Sequence, residues 1–296
     1  MSEFKKIGLI GRPGHPGVVD SLQRLLVFLA TEDVEIIFDQ DTADLIESPV
    51  GEVCSRETLS KRCDLLVVVG GDGSMLNAAQ IAAPEGVPVI GINRGRLGFL
   101  TDIMPDEIEL QVGQVLGGEY SEESRFLLEL QAIHDGEIID LGCALNDVVL
   151  HPGKAAQMIE FELFIDDGFV YSQESDGLIV ATPTGSTAYA MSAGGPIMHS
   201  NLNAIALVPI CPHSLSSRPI VVDGSSEIRM VVAKKHSISP QISCDGEVKF
   251  TAVPGDEILV KKKPQQLRLI HPPDYSSYGA YRSKLGWGSR LEKKDD

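Results

Sequence analysis

Residues 64–74 read DLLVVVGGDGS, and this stretch decides the fold. Leu65 to Val69 are continuously apolar rather than alternating, which predicts a strand covered on both faces within a parallel sheet. Gly70, Gly71 and Gly73 can take positive φ and carry no Cβ, so backbone N–H groups can approach a ligand closely. Ligands of open α/β sheets bind at the carboxyl ends of the strands. The stretch therefore predicts a buried strand that opens into a phosphate site.

A helix is expected directly after this loop. Ser74 is a suitable N-cap, and Met75 to Ala83 are good helix formers. Asp72 would then stand at the end of the strand, beside the positive end of the helix. The loop matches neither the P-loop pattern nor the dinucleotide fingerprint, because Leu76 stands where the latter needs a third small residue.

A plain turn is the alternative interpretation of Asp72, because Asp-Gly pairs are common turns. Further Asp-Gly pairs, most of which we expect to be only turns, occur at Asp135, Asp167, Asp176, Asp223 and Asp245. Three glycines after a fully apolar strand favour a functional site at Asp72.

Composition limits the classes of function. A chain of 296 residues with 43% hydrophobic residues is typical of a globular protein of two domains. A net charge of -17 argues against nucleic-acid binding. No apolar stretch approaches the roughly 20 residues that span a membrane, and no signal-peptide pattern is present. The five scattered cysteines contain no C-x-x-C pair, which favours free thiols in a reducing cytoplasm and argues against a zinc site.

Strand and helix patterns alternate up to about residue 118. Strands are predicted at Lys6–Ile10, Val34–Phe38, Leu65–Val69 and Val87–Ile92, and a helix at Val18–Ala30. This alternation indicates a Rossmann-like α/β domain with a parallel sheet over residues 1–118.

After Gly118 the pattern changes to short β runs, several of them separated by Asp-Gly turns. Phe161, Leu163 and Ile165 alternate with other residues, as in a half-buried strand. Residues 119–270 are therefore predicted to form a mainly β domain, a β-sandwich. Within the remaining segment, 271–296, the tail from Lys284 to Asp296 is polar except for Leu285, Trp287 and Leu291, and its pattern alone leaves open whether it returns to the first domain.

Two further stretches combine glycines with polar side chains. In residues 91–100, GINRGRLGFL, Arg94 and Arg96 offer charge and Phe99 could stack on a base, although by itself the pattern favours a core position for Phe99. In residues 175–196 a strand feeds TPTGSTAY and a short helical run that GGP stops. Hydroxyls and free N–H groups at a helix start suit ribose or phosphate, and a well-capped buried helix explains them equally well.

Taken together, these residues closely resemble the bacterial NAD kinases. The motifs that match are GGDG (70–73), GINRG (91–95), LGFLTD (97–102), NDVVL (146–150), residues 175–196, ISCD (242–245) and KLGW (284–287). The GGDG motif alone is weak, because lipid kinases and phosphofructokinases share it. The TPTGSTAY segment with SAGGP is highly specific, and the matches extend over nearly the whole chain.

The resemblance implies transfer of the γ-phosphoryl group of ATP to the 2'-hydroxyl of the adenosine ribose of NAD, which gives NADP. It implies an ATP-binding α/β domain, an NAD-binding β-sandwich and a C-terminal segment that returns to the first domain. It also implies Mg²⁺ carried by ATP, or another divalent cation, with no dedicated metal site. A homodimer or homotetramer is expected.

Matched position by position, Asp72 resembles the base that acts on the 2'-hydroxyl, and Gly73 resembles its neighbouring backbone contact. Phe99 resembles the adenine-side aromatic, which reverses the core interpretation given above. Asn146 and Asp147 match the pair that holds ribose and adenine. The other implied contacts are Gly71, Asp176, Thr187, Ala188, Tyr189, Ser192 and Glu247.

The sequence departs from the family at two of these positions. Asp147 stands where many relatives have Glu, so its contact with ribose is one methylene shorter, and Glu247 stands where relatives often have Gln. Two alternatives to an NAD kinase are another GGDG kinase, acting on diacylglycerol or a sugar phosphate, and a non-catalytic NADP sensor. Residues 182–189 argue against the first, and the presence of Asp72 argues against the second.

Glu174 is a third departure, because related sequences can carry a basic residue there. A carboxylate near the nicotinamide would favour the cationic, oxidised ring of NAD over NADH. We therefore expect Glu174→Arg to shift preference toward NADH, measured as the ratio of kcat/KM for the two dinucleotides. An unchanged ratio would show that this hypothesis is wrong.

Overall fold

The chain divides into two compact units. The structure is a computed structural model that describes residues 3–15, 17–95, 98–154, 157–234 and 238–287. Unit 1 holds the chain up to Glu123 and again from Leu267, whereas unit 2 holds Ser124–Gln266. The chain therefore passes between the units twice. The assignment of ATP to residues 1–118 and NAD to residues 119–270 stays a prediction, and residues 288–296 of the C-terminal segment lie outside the described part.

Unit 1 is built on a parallel sheet. Its strands are β1 (Lys6–Gly11), β2 (Glu35–Asp39), β3 (Glu52–Cys54), β4 (Leu65–Gly70), β5 (Val89–Asn93) and the last part of β17 (Glu257–His271). They lie in the order β17-β5-β4-β1-β2-β3, and every pairing is parallel. Each residue of β4 is buried, which confirms that this strand is covered on both faces.

Helices cover this sheet. The helices of unit 1 are α1 (Val18–Leu29), α2 (Gln40–Ala43), α3 (Arg56–Leu59), α4 (Asp72–Glu85), α5 (Ile108–Leu116) and α7 (Ser277–Leu285). The apolar stripe of α1 packs with α5 against Val67 and Val69 of β4 in one buried cluster. The sequence pattern did not predict β3, α2 or α3, because each has four residues or fewer and no periodicity forms over so short a run.

Unit 2 consists almost entirely of antiparallel strands. They are β6 (Ser121–His134), β7 (Glu137–Ala144), β8 (Asp147–His151), β9 (Ile159–Ile165), β10 (Gly168–Ser175), β11 (Gly177–Ala181), β12 (Ala204–Ile210), β13 (Ile220–Asp223), β14 (Ile228–Val232), β15 (Gln241–Cys244), β16 (Glu247–Thr251) and the first part of β17. One sheet has the order β13-β12-β11-β8-β15-β16. The other runs β10-β9-β14-β17, and β6 pairs with β17 and β7. The short helix α6 (Tyr189–Ser192) follows β11.

The two sheets of unit 2 enclose one core. Phe161 and Met230 come from one sheet, Leu150 and Val180 come from the other, and all four belong to the same buried cluster. The unit is thus a β-sandwich. The predicted fold class, a parallel α/β domain followed by a mainly β sandwich, is confirmed.

Three of the predicted Asp-Gly turns have the expected backbone. Asp135, Asp167 and Asp245 take φ of 49°, 63° and 51°, the left-handed region that Asp tolerates in turns. Within the described residues, no helix is both long and apolar enough to cross a membrane.

The core of the sandwich is expected to dominate the stability of unit 2. Leu163 on β9 is fully buried, whereas Leu215 is 99% exposed. Leu163→Ala should lower the free energy of unfolding by about 2–5 kcal/mol, because it removes buried methyl groups and leaves a cavity. Leu215→Ala is the matched control, with an expected change within about 0.5 kcal/mol. Urea unfolding followed by circular dichroism tests both, and equal losses in the two variants would contradict this account of the core.

Candidate functional site

The loop after β4 places Asp72 inside a helix rather than before one. The strand ends at Gly70, Gly71 is the N-cap, and Asp72 is the first residue of α4. Ser74 and Met75 both donate their backbone N–H to the Gly71 carbonyl oxygen, at 2.9 and 3.3 Å. The prediction of Ser74 as the N-cap is therefore wrong, because these hydrogen bonds start the helix earlier.

The glycines of this loop do not use their freedom to take positive φ. Gly70, Gly71 and Gly73 do not take positive φ, because Gly70 still pairs with Asn93 in the sheet and Gly71 is extended at φ −120°. A Cβ on Gly70 would lie 2.3 Å from Ser74 Oγ, so this position needs glycine for packing. A Cβ on Gly71 or Gly73 would meet nothing within 4 Å. Both therefore leave open space beside Asp72.

Backbone groups of a distant loop hold the Asp72 carboxylate. Phe99 N–H donates to Asp72 Oδ2 at 2.7 Å, and Leu100 N–H donates to Oδ1 at 3.0 Å. A Cβ on Gly98 would lie 1.8 Å from Oδ1, so only glycine lets the carboxylate come this close. The sequence pairs GGDG with LGFL for a physical reason, which is that the second motif positions the acid of the first.

Phe99 is half-buried and contacts the last helix of unit 1. Its ring centroid lies 6.1 Å from that of Tyr281, and Lys284 Nζ lies 4.7 Å above the ring. No sequence pattern indicates a functional role for Lys284, because a lysine near the end of a helix is usually solvated. Arg94 donates from Nε to Ser21 Oγ at 2.6 Å, and Arg96 lies outside the described residues.

Unit 2 contains a cavity of about 550 Å³. It brings together five of the predicted site residues, which are Asn146, Asp147, Asp176, Ala188 and Tyr189. Asp245 and His151 line it as well. Aspartates, an amide and an aromatic ring around one cavity of this size fit a polar ligand with a flat ring system.

The TPTG motif fixes the backbone of Asn146. Thr182 donates from its N–H to the Asn146 carbonyl oxygen at 2.9 Å and from Oγ1 to the Leu145 carbonyl oxygen at 2.6 Å. Gly185 N–H donates to Thr182 Oγ1 at 3.0 Å, and a Cβ on Gly185 would lie 2.0 Å from the Asn146 oxygen. The motif therefore serves first to hold the neighbouring loop in place.

Asp245 holds the same loop from the other side. Its carboxylate accepts the backbone N–H groups of Leu145, Asn146 and Asp147, at 2.9, 2.7 and 3.3 Å. The sequence analysis treated Asp245 as a turn residue. Asp245 does occupy a turn, with a positive φ. Its side chain also contacts Leu145, Asn146 and Asp147, about a hundred positions earlier in the chain, and no local sequence pattern indicates such a contact.

Burial and charge act together on this acidic pair. Asp147 is only 5% exposed, and burial followed by the nearby charge of Asp245 raises its pKa to about 7. Burial also raises the pKa of Asp245, although its three backbone hydrogen bonds oppose the shift. The Asp147 carboxyl can therefore change its protonation state near neutral pH.

Other predicted residues lie away from the lining of this cavity. Thr187 donates from Oγ1 to the Thr184 carbonyl oxygen at 3.2 Å, and Ser192 is exposed at the end of α6. Glu247 is exposed and forms an ion pair with Lys249 at 2.9 Å. Glu174 lines a separate cavity of about 410 Å³ in unit 2.

In the described part of the chain, His, Cys, Asp and Glu side chains form no group of three or more that could hold a metal ion.

Comparison with known sequences identifies the family. The profile of the ATP-NAD kinase N-terminal domain matches residues 7–120, and that of the ATP-NAD kinase C-terminal domain matches residues 145–272. The chain therefore belongs to the ATP-NAD kinase family.

Individual relatives are similar over their whole length. The chain is 59% identical to an NAD kinase of Azotobacter vinelandii over 98% of this chain and 99% of the relative. It is 56% identical to an NAD kinase of Pseudomonas putida over 100% of both chains.

Solved structures show the same likeness. A yeast NADH kinase complexed with NADH is similar, with a TM-score of 0.88 and 28% identity over 98% of this chain and 90% of the other. An NAD kinase from Archaeoglobus fulgidus in complex with ATP has a TM-score of 0.71 and 26% identity, over 95% of this chain and 97% of the other.

The raised pKa of Asp147 leads to a prediction for stability. Because the pKa of Asp147 is about 7 in the folded state, against an ordinary value of 3.8 for an aspartate, the folded state loses stability as the pH rises between these two values. Asp147→Asn keeps the shape without the charge, so it should unfold at higher urea concentration than the wild type at about pH 8. This advantage should shrink as the pH falls toward about 4.

The control for this measurement is Asp135→Asn. The Asp135 side chain is 93% exposed, and Asn also tolerates its positive φ. We expect little change in stability at any pH for this variant. If Asp147→Asn gave a difference that did not vary with pH, the Asp147 carboxyl would not be the titrating group.

Proposed function

We propose that this protein transfers the γ-phosphoryl group of ATP to the 2'-hydroxyl of the adenosine ribose of NAD and so makes NADP. The observation that carries the proposal is the Asp72 carboxylate, which two backbone N–H groups hold beside open glycine backbone in a chain of the ATP-NAD kinase family. The two candidate sites lie in different units, and each supports one part of the reaction.

Asp72 is the proposed proton acceptor. A bond forms between the 2'-oxygen and the γ-phosphorus, the bond to the β–γ bridging oxygen breaks, and ADP leaves while Asp72 takes the hydroxyl proton. The transition state of such a transfer is loose, so positioning and charge neutralisation matter more than covalent help from the protein. A Cβ on Gly71 or Gly73 would meet nothing within 4 Å, so there is room for a ligand beside both residues, and their N–H groups are proposed to bind phosphate oxygens.

We propose that Mg²⁺ enters with ATP, or that another divalent cation takes its place. Bound to the phosphates, the cation would offset the negative charge that the reaction and the protein both carry. Asp72 lies between Gly71 and Gly73, the two glycines proposed to bind phosphate. The net charge of -17 favours such a counter-charge.

The cavity of unit 2 is the proposed NAD site. Asn146 and Asp147 offer an amide and a carboxyl to ribose and adenine, and Tyr189, which is 47% exposed, offers a ring to stack against. Asp176 and Ala188 line the same cavity. Thr187, Ser192 and Glu247 stay proposed contacts on the family resemblance alone.

The subunit arrangement and the compartment complete the proposal. We expect a homodimer or homotetramer that acts in the cytoplasm, without a nucleic-acid or membrane partner. Free cysteines, none of them in a disulfide among the described residues, support a reducing environment.

Asp72→Asn tests the proposed reaction. The wild type should make NADP from NAD with ATP and Mg²⁺, and the variant should lose about two orders of magnitude or more in turnover, the scale for removal of a general base. NAD binding should be retained, because the cavity of unit 2 does not involve Asp72. Turnover is measured by the appearance of NADP, and NAD binding by calorimetry.

Gly98→Ala is a second variant at the same site. Its Cβ cannot share the space of Asp72 Oδ1, so activity should fall although the acid is still present. The double variant should be scarcely worse than Asp72→Asn alone, because both changes disable one group. A wild type that binds NAD and makes no NADP would instead support the sensor alternative, and full activity in Asp72→Asn would exclude Asp72 as the base.

A further inference from the structure

Lys284 is a cation at the edge of the Asp72 site. It lies in the last turn of α7, and its ammonium sits 4.7 Å above the ring of Phe99. Phe99 is the residue whose backbone N–H holds Asp72 Oδ2. The ammonium and the carboxylate are therefore positioned by the same residue of unit 1.

Within the described residues, this ammonium has no carboxylate within the 4.0 Å of an ion pair. Asp102 and Asp72 are the carboxylates whose charges act on the Lys284 ammonium, and both already have partners. Asp72 accepts two backbone N–H groups, and Asp102 lies 2.5 Å from His271 Nδ1. As far as the described residues go, Lys284 therefore remains available for an anion that a ligand supplies.

The state of His271 explains why Asp102 does not take this cation. His271 is fully buried, stacks on Tyr275 with 3.7 Å between the ring centroids, and has Glu123 3.6 Å from its other nitrogen. Burial lowers the pKa of His271, but hydrogen bonds to Asp102 and Glu123 outweigh it, so the pKa is raised overall. The Asp102 carboxylate is therefore engaged with His271 Nδ1, and among the described residues it forms no ion pair with Lys284.

Partial burial makes the Lys284 charge costly until an anion arrives. Burial lowers the pKa of Lys284, and the charges of Asp102 and Asp72 only partly oppose this. The side chain also faces open space, since it lines a cavity of about 260 Å³. Burying an ammonium without a counter-charge is unfavourable. A half-buried lysine over the ring of Phe99, near the proposed base of a protein with a net charge of -17, therefore favours a negatively charged ligand.

We propose that Lys284 binds phosphate oxygens of ATP and positions the γ-phosphoryl group next to Asp72. This rests on the proposed function and adds a cationic contact to the backbone N–H groups of Gly71 and Gly73. The side chain holds the phosphate by a charge-assisted hydrogen bond, and the ring of Phe99 holds the ammonium in place. Lys284 is thus a positioning residue for the phosphoryl donor and not for NAD.

Lys284→Met is the main test, because it keeps an unbranched side chain beside Phe99 and removes the charge. It should raise KM for ATP by roughly tenfold to a hundredfold, as expected for loss of a charged hydrogen bond, and leave KM for NAD unchanged. Lys284→Arg should restore most of the affinity, and Lys284→Gln should behave like the Met variant. Arg282→Met is the matched control, since Arg282 is a second basic residue in the last turn of α7 and is exposed.

A binding measurement separates the phosphate contact from catalysis. Inorganic tripolyphosphate and ATP with Mg²⁺ are titrated into the same variants by calorimetry, and urea unfolding checks that each variant is folded. Lys284→Met should lose affinity for both ligands, whereas Arg282→Met should bind both like the wild type. The proposal is wrong if Lys284→Met binds both ligands as tightly as the wild type, if the wild type binds neither, or if only NAD binding is lost.

The two proposals fail in different ways. If the wild type makes NADP and Lys284→Met keeps its KM for ATP, the role of Lys284 is wrong and the proposed function stands. If the wild type makes no NADP but its ATP affinity depends on Lys284, the proposed function is wrong and the phosphate contact stands. A change confined to stability would assign Lys284 to the packing of α7 and overturn the proposal.

Discussion

The pairing of a carboxylate with consecutive backbone N–H groups is the constraint on which both candidate sites depend. In unit 1, Asp72 accepts from Phe99 and Leu100. In unit 2, Asp245 accepts from Leu145, Asn146 and Asp147. Charge-assisted bonds of this kind are stronger than bonds between neutral groups, and they fix a loop without any regular secondary structure of its own.

The hydrogen bonds between a carboxylate and backbone N–H groups have a different role in each unit. Asp72 is the group to be positioned, and its oxygens are held so that the carboxylate stays beside open glycine backbone. Asp245 is the group that positions, because it presents Asn146 and Asp147 to the cavity. Glycine makes each arrangement possible, at Gly98 against Asp72 and at Gly185 against Asn146, where a Cβ would overlap its neighbour.

Much of the fold could be predicted from the sequence, because β4 and β11 are continuously apolar, as buried strands are. The helical and strand periodicities also extend over enough residues to indicate the type of element. Asp72 and five residues of the unit 2 cavity were also predicted, largely through resemblance to a family. The N-cap at Gly71 was not predicted, because the capping tendency of Ser74 suggested a later start. Hydrogen bonds from Ser74 and Met75 to the Gly71 carbonyl oxygen begin the helix earlier. Asp245 and Lys284 were missed since their partners are far away in the chain, and the short elements β3, α2 and α3 lack any period.

The interrupted course of unit 1 has a consequence for synthesis on the ribosome. The strand next to β5 is the end of β17, and it follows all of unit 2 in the chain. Ile103 already bridges Ile92 of β5, but until Leu267 to His271 emerge the Val89 end of the same strand lacks its partner, and an unpaired strand edge is a surface at which nascent chains associate wrongly. Unit 2, whose residues are continuous, can complete its sandwich first. The protein is thus built so that its first-made unit is the last to be finished.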